Sequence, residues 1–314
     1  MANKHLAFVF PGQGSQATGM LSALAGDFDS VANTFAQASE RLGYDLWDIT
    51  QNGPEADLNR TAVTQPALLT AGVAVWRIWQ SRNGPVPALL AGHSLGEYTA
   101  LVCAGALPFV EAVGLVQDRG QAMQSAVAEG SGLMAAILGL DDTVVEAVCR
   151  EAAQGQVVTT ANYNSPGQVV IAGDSDAVQR AMGLAREQGA KRAIPLSVSV
   201  PSHCALMRDA ATAFAARIEE VDFTDASIPV IQNVDAIART EGADIKAALV
   251  RQLHEPVRWV DSIHSMKAAG VTTIIESGPG RVLTGLIKRI DRDMNGLAIN
   301  DTPSLEIALQ EAEK

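Results

Sequence analysis

The stretch Ala88-Leu89-Leu90-Ala91-Gly92-His93-Ser94-Leu95-Gly96-Glu97-Tyr98 is the most informative part of the sequence. An apolar run leads into a glycine-flanked serine, and a mostly apolar segment follows, so the pattern predicts a strand, a sharp turn and a helix. Gly-His-Ser-Leu-Gly is a G-x-S-x-G motif, the nucleophile elbow that places a serine on such a turn. Ser94 is therefore the candidate nucleophile. The N–H of Leu95, at the positive end of the helix, is a candidate oxyanion donor.

The alternative is an ordinary turn that happens to contain a serine between two glycines. The surroundings favour the elbow, because strand 88–92 follows Pro87 and the helix expected over 95–104 is closed by Gly105. Strand, turn and helix in this order are the setting that the motif requires.

Composition predicts a globular α/β enzyme. The chain has 314 residues, of which 47% are hydrophobic and 18% charged, so it can bury a large core and is unlike a disordered chain. Its net charge of −12 argues against nonspecific binding to nucleic acid or to an anionic membrane surface. An acidic partner would need a local basic patch.

Cysteine usage and hydropathy predict a cytoplasmic protein. Cys103, Cys149 and Cys204 are odd in number, widely spaced and without metal-ligand spacing, which favours a reducing compartment and no disulfide framework. The first strand, 6–10, is not preceded by a signal-peptide pattern, and no apolar run is long enough to span a membrane.

The chain is expected to form a discontinuous catalytic domain of α/β-hydrolase type, residues 1–130 and 198–314, and an inserted domain, residues 131–197. Residues 131–197 follow the order βαββαβ, which is the ferredoxin-like pattern. The other expected strands cover residues 6–10, 88–92, 228–232 and 273–276. The other expected helices cover residues 30–42, 66–81, 95–104, 109–127, 205–219, 244–253, 259–269 and 281–290.

A glycine-rich loop, residues 11–16, follows the first strand. Such loops let backbone N–H groups come close to a ligand, although a plain strand-to-helix turn explains the glycines as well. A phosphate-binding loop is excluded because no Gly-Lys-Ser/Thr follows.

A serine at neutral pH needs an adjacent base, and His203 is the best of the five histidines. It follows a proline-containing loop and begins a helix, where a rigid turn could hold it against Ser94; a plain polar residue at a helix start is the alternative. No acid stands out as a third member before His203. A backbone or side-chain carbonyl could orient the imidazole instead, and Gln252 is one candidate.

Arg119 lies in a helix with apolar neighbours, so its guanidinium must be paired or must reach water. The simplest partner is the adjacent Asp118 or another carboxylate. The alternative is that its planar fork binds a substrate carboxylate at two points.

Five motifs in register resemble one family. They are Phe10-Pro-Gly-Gln-Gly-Ser-Gln16, Gly92-His-Ser-Leu-Gly96, Arg119, Asn162-Tyr-Asn-Ser-Pro-Gly167 and Pro201-Ser-His-Cys204. Together they resemble the bacterial malonyl-CoA:acyl-carrier-protein transacylases of type II fatty acid synthesis. The resemblance covers residues 6–290.

The resemblance implies a ping-pong reaction in which a malonyl group passes from malonyl-CoA, through a malonyl-serine, to the phosphopantetheine thiol of holo acyl carrier protein, with no bound cofactor and no metal. It also implies roles for eight residues: Ser94 as nucleophile, His203 as base, Gln13 and Leu95 as backbone oxyanion donors, Arg119 as carboxylate ligand, Gln252 as orienting group, and Met123 and Asn162 as pocket lining.

Docking of an acidic carrier protein on an acidic enzyme requires a basic patch near the active-site cleft. Lys191, Arg192, Lys288 and Arg289 are the candidates, and two solvated basic pairs are the alternative.

A thioesterase or esterase with the same elbow is the competing function, and Arg119 argues against it because a neutral acyl chain has no use for a buried guanidinium. A carrier-binding scaffold without activity would require a lost nucleophile or base. The resemblance favours a monomer. Tolerance for methylmalonyl groups stays open.

Overall fold

The computed structural model describes residues 2–196, 198 and 200–314. Within these residues the strands are Asn3–Phe10 (β1), Pro87–Gly92 (β2), Gly132–Leu138 (β3), Val158–Ser165 (β4), Gln168–Asp174 (β5), Arg192–Pro195 (β6), Val230–Ile231 (β7), Ala238–Arg239 (β8), Thr273–Ser277 (β9) and Asn295–Ile299 (β10).

The helices of the same residues are Ser22–Asp27 (α1), Asp29–Leu42 (α2), Leu46–Asn52 (α3), Glu55–Leu58 (α4), Thr61–Ser81 (α5), Gly96–Cys103 (α6), Phe109–Ser125 (α7), Asp142–Ala153 (α8), Ser175–Glu187 (α9), Arg208–Glu219 (α10), Gly242–Gln252 (α11), Trp259–Ala268 (α12), Val282–Ile290 (α13) and Thr302–Ala312 (α14). A 3-10 turn, Ala205–Met207, precedes α10. None of them is both long enough and apolar enough to cross a membrane.

The larger sheet has the order β10-β9-β1-β2-β7-β8 and is parallel except for β8. Its central strand β1 is apolar on both faces, as expected for a parallel sheet covered by helices on both sides. Phe8 and Phe10 point into the core on one face, where Phe8 packs 4.9 Å from the Trp79 ring. Ala7 and Val9 point into the core on the other face.

The smaller sheet is antiparallel, with the order β4-β5-β3-β6. One face packs against α8 and α9 and has its own apolar core. The other face, through Met134, Ala161 and Val170, packs against Cys204. The whole is a mixed α/β fold in which the second face of the small sheet meets the segment that carries His203.

The expected order βαββαβ is the order found over β3 to β6. The expected boundary at 197/198 falls on Ser197, which lies outside the described residues. Several elements were not expected: α1, α3, α4, α14, β8 and β10. The signal for α14 was present, because Asp301 and Ser304 form a capping box at its start.

The helix expected from Pro66 begins five residues earlier, at Thr61, and Pro66 lies inside it. An internal proline removes one helical hydrogen bond and costs about 3 kcal/mol or more. The helix tolerates this because it is buried almost all round, so tertiary packing outweighs the lost bond. As a consequence Gln65 lies within a buried helix rather than in a loop.

The carboxyl ends of β1 and β2 are adjacent, since Phe10 and Gly92 are partners in the sheet. The loop 11–16 and the elbow therefore lie side by side, and the His93 N–H donates to the Phe10 carbonyl at 3.0 Å. Gly12 permits this close approach, because a Cβ there would stand 2.4 Å from the His93 carbonyl oxygen.

Candidate active site

The elbow at Ser94 has the backbone geometry that its glycines predict. Ser94 has φ of 51°, in the left-handed region, where a non-glycine residue costs about 1–3 kcal/mol. A Cβ on Gly92 would stand 1.8 Å from the carbonyl carbon of Gly96, and one on Gly96 would stand 2.0 Å from the Phe10 oxygen. No side chain fits at either glycine without moving the backbone.

His203 faces Ser94 across the cavity. The distance from Ser94 Oγ to His203 Nε2 is 2.8 Å, and that from His203 Nδ1 to the Gln252 carbonyl oxygen is 2.7 Å. A carbonyl only accepts, so Nδ1 carries the proton and Nε2 is left to accept from the serine hydroxyl. The group that orients His203 is thus the backbone carbonyl of Gln252, whereas the sequence left backbone and side chain open.

The environment of His203 keeps its imidazole neutral. The ring is buried, and burial together with the nearby charge of Arg119 lowers the pKa of His203 to about 3. His203 is therefore a proton acceptor across the whole neutral range in the free protein.

Arg119 is buried and its guanidinium is held by two amide oxygens. Nη1 donates to Gln65 Oε1 at 2.9 Å and Nη2 to Gln252 Oε1 at 3.0 Å, and Nη2 lies 3.4 Å from Ser94 Oγ. Among the described residues, no carboxylate forms an ion pair with it.

The adjacent Asp118 is not the partner of Arg119. Its carboxylate pairs with Arg217 at 2.7 Å, on the other side of the helix. The other acid nearby is Glu97, which is fully buried, and burial raises the pKa of Glu97 to about 8. Glu97 is therefore largely protonated at neutral pH, and no ionised carboxylate among the described residues pairs with the Arg119 guanidinium.

The groups meet at a cavity of about 140 Å³ between the elbow and the small sheet. An engineered protein cavity of about 150 Å³ holds one benzene, so this volume suits a short acyl group. The cavity is lined by Gln13, Thr61, His93, Ser94, Arg119, Met123, Met134, Asn162, Asn164, Val170, Leu196, Val198, Val200, Ser202 and His203. Gln13, Met123 and Asn162, to which the resemblance assigns roles in the site, are among these lining residues.

The backbone N–H groups of Ser94 and Leu95 in the elbow, and of Gln13 in the adjacent loop, are the candidate donors to an oxyanion. That of Ser94 is already taken, since it donates to Asn233 Oδ1 at 2.7 Å. Within the described part of the chain, those of Gln13 and Leu95 have no hydrogen-bond acceptor. The pair expected from the sequence is therefore free to donate to a ligand.

Sequence reasoning missed four polar residues around the site: Gln65, Glu97, Asn164 and Asn233. Asn164 Oδ1 accepts from His93 Nε2 at 2.8 Å and so ties the elbow to β4. Asn233 could have been found from the sequence, because it follows β7, and residues at the carboxyl ends of neighbouring parallel strands such as β2 and β7 lie close together. Gln65 was concealed because Thr64-Gln65-Pro66 resembles a helix start.

The four basic residues lie outside the cavity and are exposed. In the small sheet Leu138 lies between Arg192 and Gln168, and Gln168 Oε1 accepts from Arg289 Nη1 at 2.6 Å. Arg289 thus lies beside the start of β5, and Arg192 lies on β6 of the same sheet, separated from β5 by β3.

Comparison with known proteins gives one consistent result. The family model "Acyl transferase domain" matches residues 7–303. The malonyl CoA-acyl carrier protein transacylase of Salmonella typhimurium is 55% identical over 96% of this chain and 98% of its own length.

Solved structures agree. An acyl carrier protein S-malonyltransferase from Vibrio cholerae is 57% identical, with TM-score 0.95 over 96% of this chain and 99% of its own. A malonyl-transacylase solved in complex with a type II PKS acyl-carrier protein is 54% identical, with TM-score 0.97 over 98% of this chain and 99% of its own. The chain therefore belongs to the acyl transferase domain family and, within it, to the malonyl CoA-acyl carrier protein transacylases.

Proposed function

We propose that the protein transfers the malonyl group of malonyl-CoA to the phosphopantetheine thiol of acyl carrier protein, through a malonyl ester of Ser94, and so supplies fatty acid synthesis. One observation carries the choice of acyl group. The buried guanidinium of Arg119 has no carboxylate partner among the described residues and lies 3.4 Å from the candidate nucleophile. A substrate carboxylate supplies the missing charge.

The first half-reaction forms the acyl-enzyme. Ser94 Oγ attacks the thioester carbon while its proton passes to His203 Nε2, 2.8 Å away. The carbonyl oxygen becomes an oxyanion, which the N–H groups of Gln13 and Leu95 stabilise. When the tetrahedral species collapses, the carbon–sulfur bond breaks and the CoA sulfur takes the proton back from His203.

The malonyl carboxylate also assists the base. Arg119 is one of the causes of the low pKa of His203. A carboxylate bound to Arg119 offsets that positive charge, so the basicity of His203 rises when the correct substrate is in place. Substrates that lack the carboxylate leave His203 the weaker base.

The second half-reaction repeats these steps with the carrier thiol. The phosphopantetheine sulfur attacks the malonyl-serine, its proton goes to His203, and the Ser94 oxygen leaves and is reprotonated. The two half-reactions use only protein groups and the two thiols, so we propose that no cofactor or metal takes part.

The basic pairs are the proposed docking site for the carrier protein. Lys191, Arg192, Lys288 and Arg289 are all exposed, and Arg289 donates to Gln168 of the small sheet that also contains Arg192. A local positive patch of this kind would attract an acidic carrier despite the net charge of −12.

We also propose the finer description of the fold: an α/β-hydrolase-like domain, 1–130 and 198–314, with a ferredoxin-like insertion, 131–197. The parallel sheet bearing the elbow, and the antiparallel order β4-β5-β3-β6 with a core of its own, support it. A monomeric state and a cytoplasmic location stay predictions.

Intact-protein mass spectrometry tests the reaction directly. The enzyme is mixed with malonyl-CoA and then with holo carrier protein, with Ser94→Ala as the control. We expect a malonyl adduct that requires Ser94, persists in buffer and moves to the carrier. An adduct that is lost to water without carrier acylation would instead make the protein a thioesterase, and no adduct would reject malonyl-CoA as donor.

A further inference from the structure

Asn233 contacts the elbow at three points. Its Oδ1 accepts from the Ser94 N–H at 2.7 Å, its Nδ2 donates to the Gly92 carbonyl at 2.7 Å, and its own N–H donates to Glu97 Oε2 at 2.7 Å. Ser94 is the candidate nucleophile, Gly92 ends β2, and Glu97 lies in the first turn of α6. Asn233 is itself fully buried, so water does not compete for these bonds.

The two side-chain bonds span the part of the backbone that is out of its ordinary conformation. Ser94 has φ of 51° and lies between Gly92, whose carbonyl is one anchor, and the helix that begins at Gly96. A left-handed residue of this kind persists only when its surroundings fix it. A primary amide suits this place because one end accepts from an N–H while the other donates to a carbonyl.

The same contact decides which N–H groups can serve the oxyanion. If the Ser94 N–H were free, it would compete with that of Leu95 for the developing charge. With Asn233 bound to it, the donors left without an acceptor among the described residues are those of Leu95 and Gln13.

We infer that Asn233 is a positioning residue for acyl transfer: its amide fixes the left-handed backbone of Ser94 and directs the oxyanion to the N–H groups of Leu95 and Gln13. Asn233 is not one of the residues that line the cavity, and its hydrogen bonds reach neither Ser94 Oγ nor Arg119. Its loss changes the chemical step and leaves recognition of the malonyl carboxylate intact. The inference rests on the proposed acylation of Ser94.

The first test is Asn233→Ala, measured as single-turnover acylation by malonyl-CoA. Rates are expressed per enzyme molecule that can be malonylated at the end of the reaction, so misfolded protein does not count. We expect the acylation rate to fall about 10- to 100-fold, as for other residues that orient a reacting group. The half-saturating concentration of malonyl-CoA should stay within about threefold, because the residues around Arg119 are unchanged.

Gln232→Ala is the matched control. Gln232 is the neighbouring buried amide, and its side chain bonds to the Val230 carbonyl rather than to the elbow. We expect its acylation rate per competent enzyme to equal that of the unmodified protein.

Asn233→Asp provides a readout that a purely structural role would not move. A protonated aspartic acid has one acceptor and one donor oxygen and reproduces the asparagine pattern, whereas the carboxylate has no donor for the Gly92 carbonyl. Burial favours the protonated form, and the negative charge of Asp235, two residues on, acts in the same direction, whereas the positive charge of Arg119, which lowers the pKa of the adjacent Glu97, acts against it. We expect the rate per competent enzyme, relative to the unmodified protein at each pH, to rise as pH falls from 8 to 5.5.

The outcomes separate the two proposals. If the unmodified protein is not malonylated at all, the proposed function fails. If it is malonylated and Asn233→Ala acylates within about twofold of its rate, the positioning role is wrong. If Asn233→Ala does not fold, Asn233→Asp decides, and a relative rate that does not change with pH overturns the inference.

Discussion

The two sides of the cavity are built from different parts of the chain. On one side, Ser94 and His203 both lie on turns with left-handed backbones, with φ of 51° and 61°. The side chain of Asn233 holds the first turn, and the backbone carbonyls of Leu253 and Gln252 accept hydrogen bonds from His203. On the other side, Arg119 comes from the middle of α7 and is held by the side chains of Gln65 and Gln252. The positions of Ser94 and His203 are thus set by turns, whereas the position of the Arg119 guanidinium is set by side chains on helices.

This difference predicts that reactivity and acyl preference can be changed separately. A change in the arginine cluster should alter which acyl group is accepted while the serine can still react. A change in the reacting pair should slow every acyl group alike. The four predictions that follow test this separation, from the largest expected effect to the smallest.

His203→Ala should lower the single-turnover acylation rate about 10²- to 10⁴-fold, the usual contribution of a general base. Malonyl-CoA binding, measured by calorimetry, should stay within about threefold because Arg119 is unchanged. His264→Ala, an exposed histidine on α12, is the control and should match the unmodified protein. A large loss of malonyl-CoA affinity in His203→Ala would show that the two sides are not separable.

Arg119→Ala should lower the ratio of malonyl to acetyl transfer about 100-fold, because the acyl carboxylate loses its charge partner. The ratio is measured as kcat/KM for malonyl-CoA over that for acetyl-CoA. Arg217→Ala, which breaks the pair with Asp118 instead, should leave the ratio unchanged. Retained malonyl preference in Arg119→Ala would remove the main support for the proposed substrate.

Glu97→Gln tests whether the positive charge of Arg119 lacks an ionised carboxylate partner at Glu97. The folded-state pKa of Glu97 is raised to about 8, above its ordinary value, so its contribution to stability is fully present below about pH 4.5 and is lost as pH rises towards 8. We expect the free energy of unfolding of the unmodified protein to fall, relative to Glu97→Gln, by roughly 1 kcal/mol per pH unit between pH 5 and 8. Urea unfolding at several pH values measures it.

Parallel stability curves for the two proteins would mean that Glu97 is ionised at neutral pH. The guanidinium would then have a charge partner inside the protein, and the contrast between the two sides of the cavity would be weaker.

Charge reversal at Lys288 and Arg289 should raise the KM for carrier protein severalfold and leave that for malonyl-CoA unchanged, since exposed charges act mainly on encounter. Lys4→Glu is the control, because Lys4 is exposed near the amino end of β1, at the opposite edge of the sheet from the elbow. Equal KM values for the double variant and the control would place the docking site elsewhere.

The sequence predicts the reacting side of the cavity better than the arginine side, for a physical reason. The close backbone approach at Ser94 requires glycines two residues away on each side, so a five-residue pattern reports the turn, although it does not report the Asn233 side chain that holds it. The partners of Arg119 and Ser94 lie 54 and 139 residues away, at Gln65 and Asn233, and no local pattern reports such contacts.

One of the partners that the sequence analysis left open for Arg119 could have been excluded from helix geometry alone. Asp118 and Arg119 are consecutive in a helix, and consecutive residues do not face each other. Asp118 was therefore a poor candidate partner from the start, and its pairing with Arg217 follows the helix geometry.

Gln252 forms hydrogen bonds to both sides of the cavity. Its backbone carbonyl accepts from His203, while its side chain accepts from Arg119 and donates to the Ser94 carbonyl. A substitution there would remove the side-chain bonds to Arg119 and to the Ser94 carbonyl together, while the backbone carbonyl that orients His203 would remain. New acyl preferences in this family should therefore arise by changes at Arg119 and Gln65. A single substitution at position 252 would change contacts on both sides of the cavity and is expected to be tolerated least.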